Sequence, residues 1–323
     1  MAISVGIIGL GNISQGYDTP GEPTITTHIK ACLSEPRLRL KWVADVNLGH
    51  AESVRHRWGL DAKCLSPEAL LAENLDVLCI ASPDATHGDY IRAALQTSPR
   101  LILCEKPLAA SAGQALDLIG TCEKAGTTLV VNFVRRWLPG VQEWLAAARD
   151  GAFGEPAGAT GVYCRGLVHN ACHNLDLIGA AFGADGVEAE CVGVPFLDYS
   201  DSDSTVSVQM SVRAAGRRVP IVLTGVDGRV SNQWAVDIMF QKGRLRIWND
   251  DGIRLETYAP ASDVAAYAPE LRSSITFHDK PARYMELVWR NIADHLANGA
   301  ALHATAHQNE EGLRLLERAA TAR

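Results

Sequence analysis

The densest group of chemically useful residues lies in the middle of the chain, in Gly166-Leu167-Val168-His169-Asn170-Ala171-Cys172-His173-Asn174-Leu175-Asp176. On a helix, at about 100° per residue, His169, Cys172, His173 and Asp176 share one stripe, and Ala171, Leu175, Ile178 and Phe182 share the opposite one. The apolar stripe is expected to face the core, which leaves solvent, a metal or a substrate for the polar one. Two imidazoles four residues apart suit zinc. H-E-x-x-H is absent, however, and nothing in the chain identifies a third ligand, so no metal is expected. Proton transfer is the better fit: an imidazole exchanges protons near neutral pH. A carboxylate one turn on, Asp176, either orients the imidazole or caps a neighbouring segment. The bland alternative for each histidine is a satisfied core or surface side chain, and Cys164 and Cys172 are expected to be small buried hydrophobes.

A second group is spaced for a dinucleotide. The β-rich run Ile3 to Ile8 ends in Gly9-Leu10-Gly11-Asn12-Ile13-Ser14, which is G-x-G-x-x-G with serine in the third place. The first two glycines permit a tight turn and close approach to a pyrophosphate. The third allows close helix packing, a job serine does imperfectly. The next strand, Leu38 to Ala44, ends in Asp45, an acidic tip that would hold the adenosine ribose hydroxyls and favour NAD over NADP. The separation of Gly11 from Asp45 exceeds the usual figure of about 20 residues. Residues 15–24, punctuated by Gly16, Pro20, Gly21 and Pro23, account for the excess as an inserted loop beside the phosphate site and a candidate lid.

These residues need a scaffold, and the chain alternates strand and helix to supply one. After Asp45 come a helix at 48–58, a strand at 62–65 and a helix opened by Ser66-Pro67-Glu68. The strand 76–81 leads to Ser82-Pro83-Asp84-Ala85-Thr86-His87 and a helix to Leu95. The strand 100–104 leads to Glu105-Lys106-Pro107, a helix at 111–124 and a strand at 127–131. Unbroken apolar strands alternating with helices predict a doubly wound parallel sheet, with ligands beyond the carboxyl ends of its strands. Asp45, His87 and Lys106 all fall there. Residues 1–132 are expected to form this Rossmann domain. Residues 133–323 are expected to form a second, α+β domain with a large, mostly antiparallel open-faced sheet. Its parts would be a linker helix at 138–149, a helix from His169 to Phe182, strand-like runs between 158 and 248, and closing helices at 281–321. Residues 259–278 give no clear signal.

Composition narrows the function classes. The 323 residues are 47% hydrophobic and 21% charged with a net charge of −7, the profile of a soluble globular protein with no basic tract for nucleic acid. The eight cysteines lack regular spacing and several sit in apolar runs, which fits free thiols in a reducing compartment. No apolar run is long enough to span a bilayer and no signal peptide is visible, so the cytoplasm is expected.

With Gly9-Leu10-Gly11-Asn12-Ile13, Glu105-Lys106-Pro107 and His173-Asn174-Leu175-Asp176 in this order, the chain resembles the Gfo/Idh/MocA oxidoreductases, the family of glucose–fructose oxidoreductase and inositol dehydrogenase. Pro83 to His87, Asn132-Phe133-Val134-Arg135-Arg136 and Gly151-Ala152-Phe153-Gly154-Glu155-Pro156 extend the resemblance over nearly the whole chain. It implies hydride transfer between NAD(P) and a hydroxyl or keto carbon of a sugar, cyclitol or nucleotide sugar. It also implies a homodimer or homotetramer formed through the second sheet. Lys106 would stabilise the developing alkoxide and could itself exchange protons, with His173 as acid/base. Gly9, Gly11, Asn12, Ile13, Asp45, Ser82, Pro83, His87, Glu105 and Lys106 would frame the cofactor. Arg136, Trp137, Arg165 and His169 would face the substrate. The bland readings are a helix-preceding surface lysine for Lys106, a helix cap for His87 and core packing for Trp137. His169 stands where many relatives carry aspartate, which reopens the identity of the proton carrier. Two rival functions share the scaffold: a non-catalytic NAD-binding, sugar-sensing regulator, and an NAD-dependent glycoside hydrolase.

Overall fold

The computed structural model describes residues 2–248, 252–258, 271–277 and 283–322. The chain divides into two compact units, residues 1–137 with 281–307 and residues 138–280 with 308–323.

The first unit is built on β1 (Ile3–Ile8), α1 (His28–Ser34), β2 (Leu38–Ala44), α2 (Leu48–Trp58), β3 (Lys63–Leu65), α3 (Pro67–Leu71), β4 (Val77–Ile80), α4 (His87–Ala94), β5 (Leu101–Cys104), α5 (Ala112–Ala125) and β6 (Thr128–Val131). Its six strands run parallel in the order β3-β2-β1-β4-β5-β6. The order reverses at β1, the arrangement of a doubly wound sheet. All six residues of β1, and every residue of β4 and β5, are buried, as expected of strands covered on both faces. Local signals set the helix limits. Asn47, Ser66 and Ser111 accept N-cap hydrogen bonds, and Gly59 and Gly126 close α2 and α5 in the left-handed conformation.

The second unit contains α6 (Val141–Arg149), β7 (Pro156–Tyr163), α7 (Cys172–Phe182), β8 (Glu188–Ser200), β9 (Asp203–Ala214), β10 (Arg217–Gly225), β11 (Ala235–Phe240), β12 (Gly243–Trp248), β13 (Gly252–Tyr258) and β14 (Leu271–Phe277). These form an eight-stranded sheet in the order β14-β13-β12-β11-β7-β10-β9-β8, antiparallel except where β7 meets β10. Inward residues alternate with outward ones, as in Val206, Val208, Met210 and Val212 of β9. The sheet runs further than the sequence pattern indicated. β13 and β14 lie beyond the last expected strand, and β14 falls inside the unclear segment 259–278. The rest of that segment lies outside the described residues, apart from this strand.

The two closing helices part company. Sequence reading assigned both to the second domain, but α8 (Tyr284–Asn298) buries Met285, Val288, Trp289 and Ile292 completely in the same core as Ile29, Val130 and Trp137 of the first unit. Its apolar stripe completes the Rossmann core. Only α9 (Glu310–Thr321) belongs to the second unit, where it packs on α7. Gly179 and Gly312 make that packing possible, since a Cβ on Gly179 would stand 2.5 Å from the Gly312 nitrogen. Among the described residues no helix is long and apolar enough to cross a membrane.

Candidate active site

In the first unit, the expected cofactor residues gather at the carboxyl ends of the parallel strands. Gly9 has φ +87°, and a Cβ there would lie 2.6 Å from the Ala81 and Ser82 backbone, so only glycine fits. A Cβ on Gly11 would meet nothing within 4 Å, which leaves room over the turn for a pyrophosphate. Asp45 accepts the Leu10 N–H at 3.1 Å and the Asn47 N–H at 2.9 Å, tying the glycine turn to the end of β2. A carboxylate has about four lone-pair sites, so acceptors remain for a ribose diol. The residues present therefore fit a dinucleotide.

Two details differ from the expected motif. The glycine turn opens into a π-helical turn, Asn12–Gly16, in place of a long helix, and α1 begins only at His28. Ser14, in the third glycine's place, is fully buried and donates its hydroxyl to the Gly9 carbonyl. Ile13 packs against the hydrophobic core, so its side chain serves the fold. A Cβ on Gly16 would crowd Asn12 Oδ1 at 2.5 Å.

The inserted segment is strongly tied down. The Asp18 carboxylate accepts from the Thr24 and Thr26 hydroxyls, the Thr26 and Thr27 amides and the Thr27 hydroxyl, at 2.7–3.1 Å. Arg57 on α2 donates to Gln15 Oε1 and to the Asp18 carbonyl, both at 2.9 Å. Burial pushes the Asp18 carboxyl up, but the bonds from Thr27 and Thr26 outweigh it and hold it below its ordinary value.

Ser82 and exposed Pro83 follow β4, with the Ser82 hydroxyl sharing a 2.7 Å bond with Thr86. His87, expected in the cofactor frame or as a helix cap, ties two loops together. It is fully buried, and its ring spans the Pro107 carbonyl (Nδ1, 2.9 Å) and the Ser82 carbonyl (Nε2, 3.0 Å). It joins the loops after β4 and β5 and sets where Ser82 and Lys106 lie.

Glu105 and half-buried Lys106 follow β5. The Glu105 carboxylate is buried and receives His28 Nε2 at 2.8 Å and Asn132 Nδ2 at 2.6 Å on one oxygen, and the Lys106 amide at 3.2 Å on the other. Burial alone would raise this carboxyl. The bonds from His28 and Asn132 and the Lys106 charge more than compensate, and it sits below the ordinary glutamate value. Arg136, within the 3₁₀ turn Val134–Trp137, is 1% exposed. Trp137 was a candidate sugar-facing ring. It is 4% exposed, donates Nε1 to Asn291 on α8 at 3.1 Å and lies beside His303. It is an anchor of the first unit's core, because its polar edge and its face are both occupied within the fold.

In the second unit the histidine stretch is not one α-helix. Leu167–Ala171 is a π-helical turn, and α7 starts at Cys172. The stripe picture therefore fails at its first residue, since a π turn rotates His169 out of α-helical phase with His173. Both stripes of α7 are buried, Cys172, His173 and Asp176 included. Asp203, at the start of β9, fixes the turn by accepting the Val168 amide at 3.0 Å and the His169 amide at 2.8 Å. Gly166 (φ +88°) admits this approach, because a Cβ would strike the Asp203 carboxylate. Exposed Arg165, also at positive φ, gives its amide to Asp198 at 2.8 Å. The His169 ring stacks on Tyr199 with centroids 4.0 Å apart, and the His173 ring meets Trp234 edge-on at 6.3 Å. Asp176 receives Asn309 Nδ2 at 2.7 Å, which links α7 to the start of α9. Of the two roles foreseen for Asp176, this bond supports the tie to a neighbouring segment.

Sequence reading missed His28, Asp18, Tyr199, Asp203 and Trp234 as site-forming residues. His28, Tyr199, Asp203 and Trp234 have partners far away in sequence, so no local spacing could signal them, and Asp18 reaches its threonines across an irregular loop with no periodic pattern. All eight cysteines are free, and six, including Cys164 and Cys172, are buried. His169 is thus held by the Asp203 carboxylate and the Tyr199 ring of the β8–β9 region, and His173 lies against Trp234 just before β11.

A six-stranded doubly wound sheet carrying a glycine turn, an acidic end to its second strand and a lysine beyond its fifth defines an NAD-binding Rossmann unit. Residues 3–133 match the model of the Gfo/Idh/MocA oxidoreductase family, described as NAD-binding with a Rossmann fold. It is similar to a D-apiose dehydrogenase of Paraburkholderia graminis, 30% identical over 59% of this chain and 58% of the relative. It is also similar to an inositol 2-dehydrogenase of Paracoccus denitrificans, 32% identical over 43% of this chain and 39% of the relative. These matches thus span less than two thirds of either relative's length. In fold, the chain matches an NAD binding oxidoreductase from Klebsiella pneumoniae with a TM-score of 0.79 at 16% identity, covering 99% of this chain and 96% of that one.

Proposed function

We propose that the protein is an NAD-dependent oxidoreductase acting on a hydroxyl or keto carbon of a sugar, cyclitol or nucleotide sugar. The observation that carries this reading is the presence of Lys106 on the same carboxyl edge that bears the Gly9–Asp45 dinucleotide frame. The D-apiose and inositol dehydrogenases point to polyhydroxylated substrates. Nicotinamide, when bound, supplies the acceptor or donor for the hydride. In the oxidation direction, His173 accepts the substrate hydroxyl proton, and Lys106 offers positive charge to the oxygen as it becomes an alkoxide. Asp45 selects NAD, because its carboxylate bonds a ribose diol and repels a 2′-phosphate. His169, Arg136 and Arg165 are assigned to substrate recognition. Pairing through the outer face of the second sheet accounts for the exposure of Val192, Val194 and Val222.

NADH absorbance with a panel of sugars, cyclitols and nucleotide sugars tests the proposal. Net formation or consumption of NADH supports it. Tight NADH binding with no turnover on any panel member would favour a sugar-sensing regulator, and release of product without net NADH change would favour a glycoside hydrolase.

A further inference from the structure

The first unit contains a buried polar chain that the proposed chemistry does not use. Trp289 Nε1 lies 3.2 Å from His28 Nδ1, and His28 Nε2 lies 2.8 Å from Glu105 Oε1. An indole N–H can only donate, so Nδ1 of His28 accepts and the ring proton sits on Nε2, pointed at the carboxylate. Asn132 Nδ2 reaches the same oxygen, and the Lys106 amide takes the other. His28 and Trp289 are fully buried, Asn132 is 3% exposed and Glu105 8%. A carboxylate gripped from three directions in a dry interior has one orientation. The residue it holds on the backbone is Lys106.

His28 is itself held from behind. It is the first residue of α1, directly after Thr27, whose amide and hydroxyl both donate to Asp18. Lys30, two residues along α1, donates to the Thr19 and Glu22 carbonyls at 2.9 and 2.6 Å. Residues 17–27 are therefore clamped to both α1 and α2, a poor design for a swinging lid and a good one for a support.

We propose that His28 is a positioning residue for Lys106, acting through the Glu105 carboxylate, and that the inserted segment around Asp18 is the brace that fixes it. This rests on the reading of Lys106 as the charge at the reacting centre.

The test uses the whole chain and the variants His28→Leu, His28→Gln, Asp18→Asn and Lys106→Met. Competitive acetic anhydride labelling, read by mass spectrometry, reports the reactivity of Lys106 relative to exposed Lys63 and needs no substrate. Labelling of Lys106 should rise by about threefold or more in His28→Leu, a small part of the hundredfold that an ångström of misplacement costs in rate. His28→Gln, which returns an N–H donor at the same reach, should restore the wild-type ratio. With a turned-over substrate, kcat should fall about ten- to a hundredfold in His28→Leu while KM and NADH affinity hold. Unchanged labelling and kcat in a folded His28→Leu protein would overturn the proposal, as would equal losses in the Leu and Gln variants. Should His28→Leu fail to fold, Asp18→Asn carries the test, with a smaller rise expected and no change contradicting the brace. If Lys106→Met keeps wild-type turnover, the reading of Lys106 fails instead. If Lys106→Met is inactive while the His28 and Asp18 variants behave as wild type, only the positioning proposal fails.

Discussion

Asp45 has one duty in the fold and a second in the proposed function. Its oxygens hold the Leu10 and Asn47 amides at 3.1 and 2.9 Å. On the proposed reading, replacing it with alanine removes both the ribose acceptor and the repulsion toward a 2′-phosphate. The ratio of NADPH to NADH dissociation constants, measured by protein fluorescence, should fall about tenfold or more in Asp45→Ala, the scale of a lost hydrogen bond to a charged group. An unchanged ratio would count against Asp45 as the selecting residue. The contrast with His87 is instructive. Both were assigned to the cofactor frame from their place after a strand, but the His87 ring is fully occupied by two carbonyls. Position in sequence located the loop correctly and left the side chain's direction open.

At the scale of elements, the Asp18 brace predicts a pH dependence. The Asp18 carboxyl is held below its ordinary value in the fold, so the unfolded chain binds that proton more readily. Its contribution is therefore complete above the unfolded carboxyl's value of about 4 and is lost as pH falls through the lower, folded value. Asp18→Asn has no such proton. It should melt lower than the native chain at neutral pH, and the gap should close on acidification. A gap that stays constant down to acidic pH would contradict the assignment. The α7–α9 contact makes a second prediction. A Cβ on Gly179 would stand 2.5 Å from the Gly312 backbone, so Gly179→Ala should cost about 1–3 kcal/mol in a denaturant titration, with the slope unchanged. A neutral result would mean the helices separate easily.

Legibility in the sequence follows the same division. β1, β4 and β5 were readable because buried parallel strands are near-continuous apolar runs between turn signals, and β2 because apolar residues alternate with Arg39 and Lys41 before Trp42-Val43-Ala44. The Ser66 start of α3 was readable because a cap is a local event. The destination of α8 was not, since an amphipathic stripe says that a helix buries one face without saying against what. The π turn at 167–171 also escaped, because its cause, Asp203, lies more than thirty residues away.

For the molecule as a whole, the outer face of β8 and its neighbours sets the expected assembly. Val194 is 85% exposed, and Val192 lies on the same strand. If copies pair through this face, light scattering coupled to size exclusion should give a dimer or tetramer mass for the native chain. Val194→Asp should shift it toward monomer, and a native chain that is monomeric at all concentrations would contradict the pairing. The proposed function rests on a different pair of residues. NADH affinity and turnover, followed on one active polyol substrate for the native chain, Lys106→Met and His173→Ala, test that pair directly. Both variants should bind NADH near normally and lose about a hundredfold or more in kcat, the range of a missing acid–base or oxyanion group. Native-like turnover in either variant would contradict the roles given to Lys106 and His173.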